Sequence, residues 1–487
     1  MSEVFAVIGV TLIYCLILLY VGYLGYKKTT LDPADYFLGG RSFGTFVLSL
    51  TFIATYASMW TFMGAVGANY RLGISFMTAM MTWNLLWPLV LLIMGTRFWI
   101  LSKKYGYITP ADMLADYYDS EAIRIITSII GVIALIPYLS IQLIGGGLAF
   151  EAATNGLVPY HIGALLMVVI MLVYGFIGGL RAVAWTDVVQ GLFFLVILFG
   201  LSIWTFTKSG SNLFKAVAEK RPELFIPGNW NYKFWIGFVL TWGLSVLLPH
   251  QMQRAFTARS GKIIVKSSSI LSFLSGWVQT VPVMIIGIAG ALILPGLEGS
   301  QTDSVVVILV AKYAPLFSAI LVASAVAAGM STLDSQLLSA SSLITRDIYT
   351  RYIRPNATPE EEAKAGKFLL IVLSIIVYIF VLTKPGLIVP LATSGAAICV
   401  AGYIFPVIGA IFWPRVGKTA ALWSMIAGSG TAFLTFVVWK YPLGIHNAAW
   451  GLMVGFIVFV ILTYLTPPVP YEKQEKFHKV LDRLIGD

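Results

Sequence analysis

Charge is what this sequence has little of. Asp, Glu, Lys and Arg make up 11% of its 487 residues, where soluble domains run to about 25%. The deficit extends along the whole chain, with no hydrophilic half. That excludes a water-soluble enzyme, a nucleic-acid-binding protein and a disordered scaffold. Cysteine is nearly absent. Cys15 and Cys399 each lie in an apolar run, which gives neither a disulfide framework nor a metal cluster. The histidines (His161, His250, His446 and His478) are scattered without ligand spacing. No HExxH motif and no phosphate-binding loop is present, which disfavours a membrane-embedded metalloenzyme and an ATP-driven pump. A sensor module would need an output domain, and a tail of about twenty residues leaves no room for one.

What is present is apolar surface: 58% of the residues are hydrophobic. A spanning helix needs about 20 of them in a row. Thirteen such runs lie near 5–25, 45–70, 74–100, 123–150, 160–179, 185–207, 234–250, 268–295, 315–345, 367–383, 386–413, 419–439 and 448–466. The expectation is an all-α polytopic membrane protein, one transporter domain over 1–487. The first run carries Glu3 and no Lys ahead of it, unlike a cleaved signal peptide, and Lys27 and Lys28 follow it. An outside N-terminus and a cytoplasmic C-terminus place 23 of the 32 basic residues on the inner face. Of the other nine, five share the longer loop 208–233, and the remaining four, Lys384 among them, are scattered. The net charge of +10 therefore reads as cytoplasmic loops rather than a nucleic-acid surface. Loops 101–122 and 346–366 carry acidic clusters that read as solvated faces. The cytoplasmic tail 471–487 alternates charge with Phe477, Val480, Leu481 and Leu484, as an amphipathic helix on the inner leaflet would.

Three carboxylates fall within apolar runs, where charge is costly. Glu151 ends a run and can snorkel to water. Asp187 stands just inside a helix start, where capping or pairing with Arg181 would explain it. Asp334 lies deep in VASAVAAGMSTLDSQLLSASS with no basic neighbour in sequence, which favours an ion ligand. Ser331, Asp334 and Ser335 share one helix face at i, i+3 and i+4. A hard cation such as Na⁺ takes several oxygens of this kind. The run FVLSLTFIATYASMWTFMGAVGANY (46–70) combines Thr51, Thr55, Ser58 and Thr61 with Gly64 and Gly67. Such a run can break in mid-membrane and free carbonyls to line a cavity.

These residues resemble the sodium:solute symporter family over nearly the whole chain. FLGGRSFGTFVLSLTFIATYASMWTFMGA is similar to its first core helix, GGLRAVAWTDVVQG (178–191) to its long signature, and AAGMSTLDSQLLSASSLITRDIY (327–349) to its ion-site helix. The resemblance implies a LeuT-like fold of two inverted five-helix repeats, at 45–207 and 234–413, with one helix before and two after. It implies a first Na⁺ site made by the backbone of Ala54, Ala57 and Ala328 with the hydroxyls of Ser331 and Thr332. A second site, used by some members, maps onto Asp187, Ser331 and Ser335, and Asp334 stands where some of these have serine. The solute would lie among Thr55, Tyr56, Ser58, Met59, Tyr138, Gln142, Trp242 and Ser245.

The expected function is Na⁺-coupled uptake of a small organic solute across the plasma membrane, for which a monomer suffices. Proline carriers of the family have an acid where Tyr56 stands and an additional aromatic between the tryptophan and the PH pair. ATYAS (54–58) and LPH (248–250) look more like the pantothenate and monocarboxylate branches. The expectation is thus a small carboxylate, with proline or another amino acid as the alternative.

Overall fold

The computed structural model describes residues 2–27, 29–30, 32–210, 212–226, 231–383 and 386–486, with backbone alone for 2–3, 173–178 and 482–486. Lys28 and Lys384, and the side chains of Glu3, Arg483 and Leu484, lie outside the described residues.

Lipid offers no partner to backbone N–H and C=O groups, so apolar runs satisfy them internally as helices. Among the described residues, ten helices are long and apolar enough to cross a membrane, and one bent pair makes an eleventh crossing. In chain order the principal helices are α1 (Ser2–Tyr26), the bent pair α2 (Thr45–Tyr56) and α3 (Trp60–Leu72), α4 (Ile74–Tyr105), α5 (Pro110–Tyr118), α6 (Glu121–Ala153), α7 (Tyr160–Leu172) and α8 (Gly179–Lys208). They continue with α9 (Tyr232–Gly243), α10 (Pro249–Phe256), α11 (Gly261–Ile293), α12 (Pro315–Ile353), α13 (Pro359–Leu382), α14 (Ile388–Phe412), α15 (Lys418–Val437), α16 (Asn447–Leu465) and α17 (Tyr471–Gly486). The strand-like pairing among the described residues is one isolated bridge, Phe43 to Ala258.

Besides 45–70, two of the thirteen apolar runs meet a break in the helical backbone. The run 160–179 starts as α7 and meets α8 at Gly179, whose φ of 56° and ψ of −166° break the helix. A Cβ there would stand 2.7 Å from the Tyr36 carbonyl oxygen, so the bend needs glycine. The run 234–250 becomes α9 and α10, joined by a short turn (Ser245–Leu247) and restarted at Pro249. Neither piece alone reaches the ~20 residues a crossing needs.

Burial ranks the helices. Of the most apolar stretch, 83% is buried in α12 and 89% in α14, against 28% in α1 and in α16. The first two are therefore the centre and the last two the lipid-facing rim. The Ala, Gly and Ser residues of α12 let it pack closely on α6 and α8.

Several polar groups sit elsewhere than the sequence suggested. Arg181 pairs with Asp35 at 2.6 Å, not with Asp187. Glu151 is half-buried at the end of α6. The acidic loop clusters are not simply solvated. Asp112 holds both Arg124 (2.8 Å) and Arg346 (2.9 Å), and Arg346 also meets Glu362 at 3.4 Å. Burial pushes the Asp112 carboxyl up, but the two guanidinium groups hold it below the usual carboxylate range. The tail α17 packs on protein: Phe477 is fully buried against Tyr105, Tyr107 and Tyr117, while Lys473 and Lys476 pair with Asp116 at 3.2 and 2.5 Å. An aromatic pocket beside a carboxylate competes with the leaflet for this face.

Candidate functional site: two oxygen clusters on the central helix

The chain leaves the helical path between α2 and α3. Ala57 has φ −83° and ψ 88°, and the two halves meet at a bend of 57°. The Ser58 hydroxyl accepts the N–H of Trp60 at 3.1 Å, restarting the backbone after the break. Facing it is the middle of α12. The Ser331 hydroxyl donates to the Ala54 carbonyl at 2.9 Å and stands 3.2 Å from that of Ala328. The Thr332 hydroxyl donates to the Thr55 carbonyl at 2.9 Å and stands 3.5 Å from Ala328. Ala54, Ala57, Ala328, Ser331 and Thr332 are all buried. The cluster thus gathers neutral hydroxyl and carbonyl oxygens from two helices, with no carboxylate among these contacts. A monovalent cation could take the place of these hydrogen bonds, each hydroxyl turning a lone pair to it, since carbonyl and hydroxyl oxygens are ligands for hard cations.

One helical turn along α12 lies a different cluster. Asp187 on α8 is fully buried and pairs with Arg254 of α10 at 2.9 Å. The Thr51 hydroxyl donates to the same carboxylate oxygen, Asp187 Oδ2. Arg254 Nε donates to the Thr51 hydroxyl at 3.1 Å, and its Nη2 donates to the Ser335 hydroxyl. Asp187 Oδ1 accepts no hydrogen bond among the described residues. Ser335 also lies 3.0 Å from the Ser331 carbonyl and from Asp334 Oδ1. The sequence put Arg254 in an inner loop; the structure buries it to 1% exposure.

The eight expected solute residues are buried together at the break. Met59 N–H donates to Gln142 Oε1 at 3.1 Å, and Gln142 Nε2 donates to the Tyr138 carbonyl at 3.2 Å. Trp242 packs edge-on against Tyr138 and Tyr56 and donates to the Thr393 hydroxyl at 3.0 Å. Ser245 turns back to the Trp242 carbonyl at 2.7 Å. The Thr55 hydroxyl lies 3.5 Å from the Ser331 carbonyl. Tyr56 stacks on Trp87 at 4.1 Å and donates to Asn84 at 3.0 Å, so its hydroxyl faces α4. Trp60, Trp83, Asn84 and Trp87 complete this wall and were missed from sequence. The signal was Asn84 inside an apolar run, MTWNLLWP.

A model of the sodium:solute symporter family matches residues 36–428. The chain belongs to the sodium:solute symporter family. Among curated relatives, sodium/proline symporter 2 of Staphylococcus saprophyticus is 29% identical over 93% of this chain and 91% of its own. A sodium/proline symporter of Staphylococcus aureus is 29% identical over 93% and 90%. Among solved structures, the substrate-bound, outward-open Na⁺-coupled sialic acid symporter superposes with a TM-score of 0.78 at 21% identity, covering 96% of this chain and 99% of that one. A nucleobase-cation-symport-1 family transporter in a closed conformation gives 0.57 at 13% identity, covering 92% and 98%. The symporter therefore has the LeuT-like fold expected from sequence. It is a multi-pass membrane protein that couples movement of a small organic solute to Na⁺.

Proposed function

We propose that this symporter, with its N-terminus outside and its C-terminus in the cytoplasm, imports proline or a similar small amino acid across the plasma membrane with Na⁺. The observation that carries the solute is the alignment of sodium/proline symporters over nine-tenths of both chains. The monocarboxylate or pantothenate-like reading has no comparable support among these relatives. The coupling ion binds at Ala54, Ala57, Ala328, Ser331 and Thr332, where buried neutral oxygens face one another across the break. Its binding replaces the hydroxyl-to-carbonyl hydrogen bonds and fixes α2 against α12.

The solute sits beside that ion. The apolar ring of proline lies on the aromatic wall of Trp242, Tyr138 and Trp60. Its carboxylate takes the N–H groups at the start of α3, where a broken helix presents its positive end. To reach Met59 N–H it displaces Gln142, which then serves the solute's own polar groups. Thr55, Tyr56, Ser58 and Ser245 close the site. Because ion and solute share α2, each raises the affinity of the other by the same factor. Both proposed repeats, 45–207 and 234–413, open on an interrupted helix (α2/α3 and α9/α10), which supports that division.

The test is uptake of radiolabelled L-proline into proteoliposomes under an inward Na⁺ gradient, with pantothenate, lactate and other amino acids as competitors. The proposal expects Na⁺-dependent uptake blocked by small amino acids. Uptake that followed a proton gradient and ignored Na⁺, or competition by pantothenate or lactate in place of amino acids, would contradict it.

A further inference from the structure

Asp187, Thr51, Ser335 and the His250 carbonyl supply four oxygens from four helices, α8, α2, α12 and α10. The guanidinium of Arg254 touches every one, with His250 O at 3.4 Å from Nη1. It meets a full negative charge, two hydroxyls and a carbonyl in a buried place, which is the ligand set a bare cation would need. Arginine keeps its charge under all ordinary conditions and cannot leave the chain.

We propose that Arg254 is a built-in cation that takes the place of a second coupling ion, so that the symporter binds one Na⁺ per chain. This rests on the reading of the hydroxyl–carbonyl cluster as the Na⁺ site. The guanidinium already neutralises Asp187 and occupies its Oδ2 and the Ser335 hydroxyl. A second Na⁺ at Asp187, Ser331 and Ser335 would have to displace that donor or bind against a like charge in a medium that screens it poorly. The remaining oxygen, Asp187 Oδ1, accepts no hydrogen bond among the described residues and is where an ion enters once the guanidinium is gone. Ser335 also touches the Ser331 carbonyl at 3.0 Å. The fixed cation is therefore one helical turn from the exchangeable one, and it holds α8 and α10 to α12 through the cycle.

The experiment counts ²²Na⁺ at saturation on purified full-length protein in nanodiscs, with no solute present, so its outcome is independent of which solute is carried. The expected counts are one for the wild type, two for Arg254→Ala, and one for Arg254→Ala combined with Asp187→Asn. Arg254→Lys, which keeps the charge, is expected to count one, and Arg254→Gln, which loses the charge and keeps a long polar side chain, is expected to count two and serves if the alanine variant does not fold. A wild-type count of two, lowered to one by Asp187→Asn, overturns the proposal. So does a folded Arg254→Ala protein that still counts one. Ser331→Ala in the wild-type background reports on the first site separately: the Na⁺ concentration for half-occupancy rises about tenfold if the ion sits there, and the count at saturation stays one.

Discussion

Two oxygen clusters share α12, one turn apart, and they are built oppositely. At Ser331 and Thr332 the partners are neutral carbonyls of a broken helix. At Ser335 the partners include Asp334 and a buried guanidinium, which in turn pairs with the buried carboxylate of Asp187. The first has strong acceptors and no charge, so an arriving cation has something to gain. The second already contains its cation. A carboxylate in a membrane protein is therefore a poor guide to an ion site until its partner is known, and a pair of hydroxyls against a helix break is a better one.

The contrast can be broken at either cluster. The largest effect is expected for Asp187→Asn, which strands Arg254 in the protein interior. Removing one partner of a buried ion pair costs about 3–5 kcal/mol, so the thermal midpoint should fall by several degrees while Na⁺ affinity changes little. A second Na⁺ site at Asp187, which the family resemblance implied, would give the reverse, a weakened Na⁺ dependence in a folded protein. If purified Asp187→Asn keeps its midpoint and loses Na⁺ affinity, the two clusters have been assigned the wrong way round.

Next is the double variant Ser331→Ala with Thr332→Ala. Each lost ligand is taken as about 1.4 kcal/mol, or about tenfold, so half-maximal activation of uptake should need roughly 100-fold more Na⁺. A smaller effect is expected at the solute wall. Gln142→Ala should raise the KM for proline about tenfold, a cost of about 1.4 kcal/mol, with Na⁺ binding in the absence of solute unchanged. A changed ²²Na⁺ affinity would place Gln142 with the ion instead.

A pH-dependent effect is expected between α11 and α12. Asp303 repeats the charged design, with Arg71 at 3.4 Å and the Ile388 N–H at 2.9 Å. Burial outweighs both partners and pushes its carboxyl up to about 6, against about 3.9 in an unfolded chain. A raised folded value means that this group's contribution is full below about 4 and is lost as pH rises through about 6. The thermal midpoint should thus decline over that window, and Asp303→Asn should flatten the decline. An unaltered slope in the variant would assign it to other groups.

Much of this architecture was legible in the sequence. Apolar runs separated by basic loops marked the helices, because lipid forces backbone satisfaction within each segment. Ser331 and Thr332 were legible through their place in AAGMSTLDSQ and the Gly- and Thr-rich run opposite. Arg254 was not. A charged residue soon after an apolar run reads as a loop, and its bond to Asp187 joins positions 67 residues apart. The interruptions at Gly179 and before Pro249 were hidden by hydropathy, which registers apolar length and not backbone angles. The tail's docking was hidden for a similar reason: Phe477 and the lysines suit a leaflet as well as a protein pocket until Asp116 and three tyrosines are seen beside them.

The central claim is that the neutral cluster holds the coupling ion. Its most direct test is the Na⁺ concentration giving half-maximal uptake in Ser331→Ala proteoliposomes, with the maximal rate measured at saturating Na⁺. The account predicts a rise of about tenfold, the loss of one ligand at about 1.4 kcal/mol, with the maximal rate largely kept. An unchanged Na⁺ requirement would contradict it.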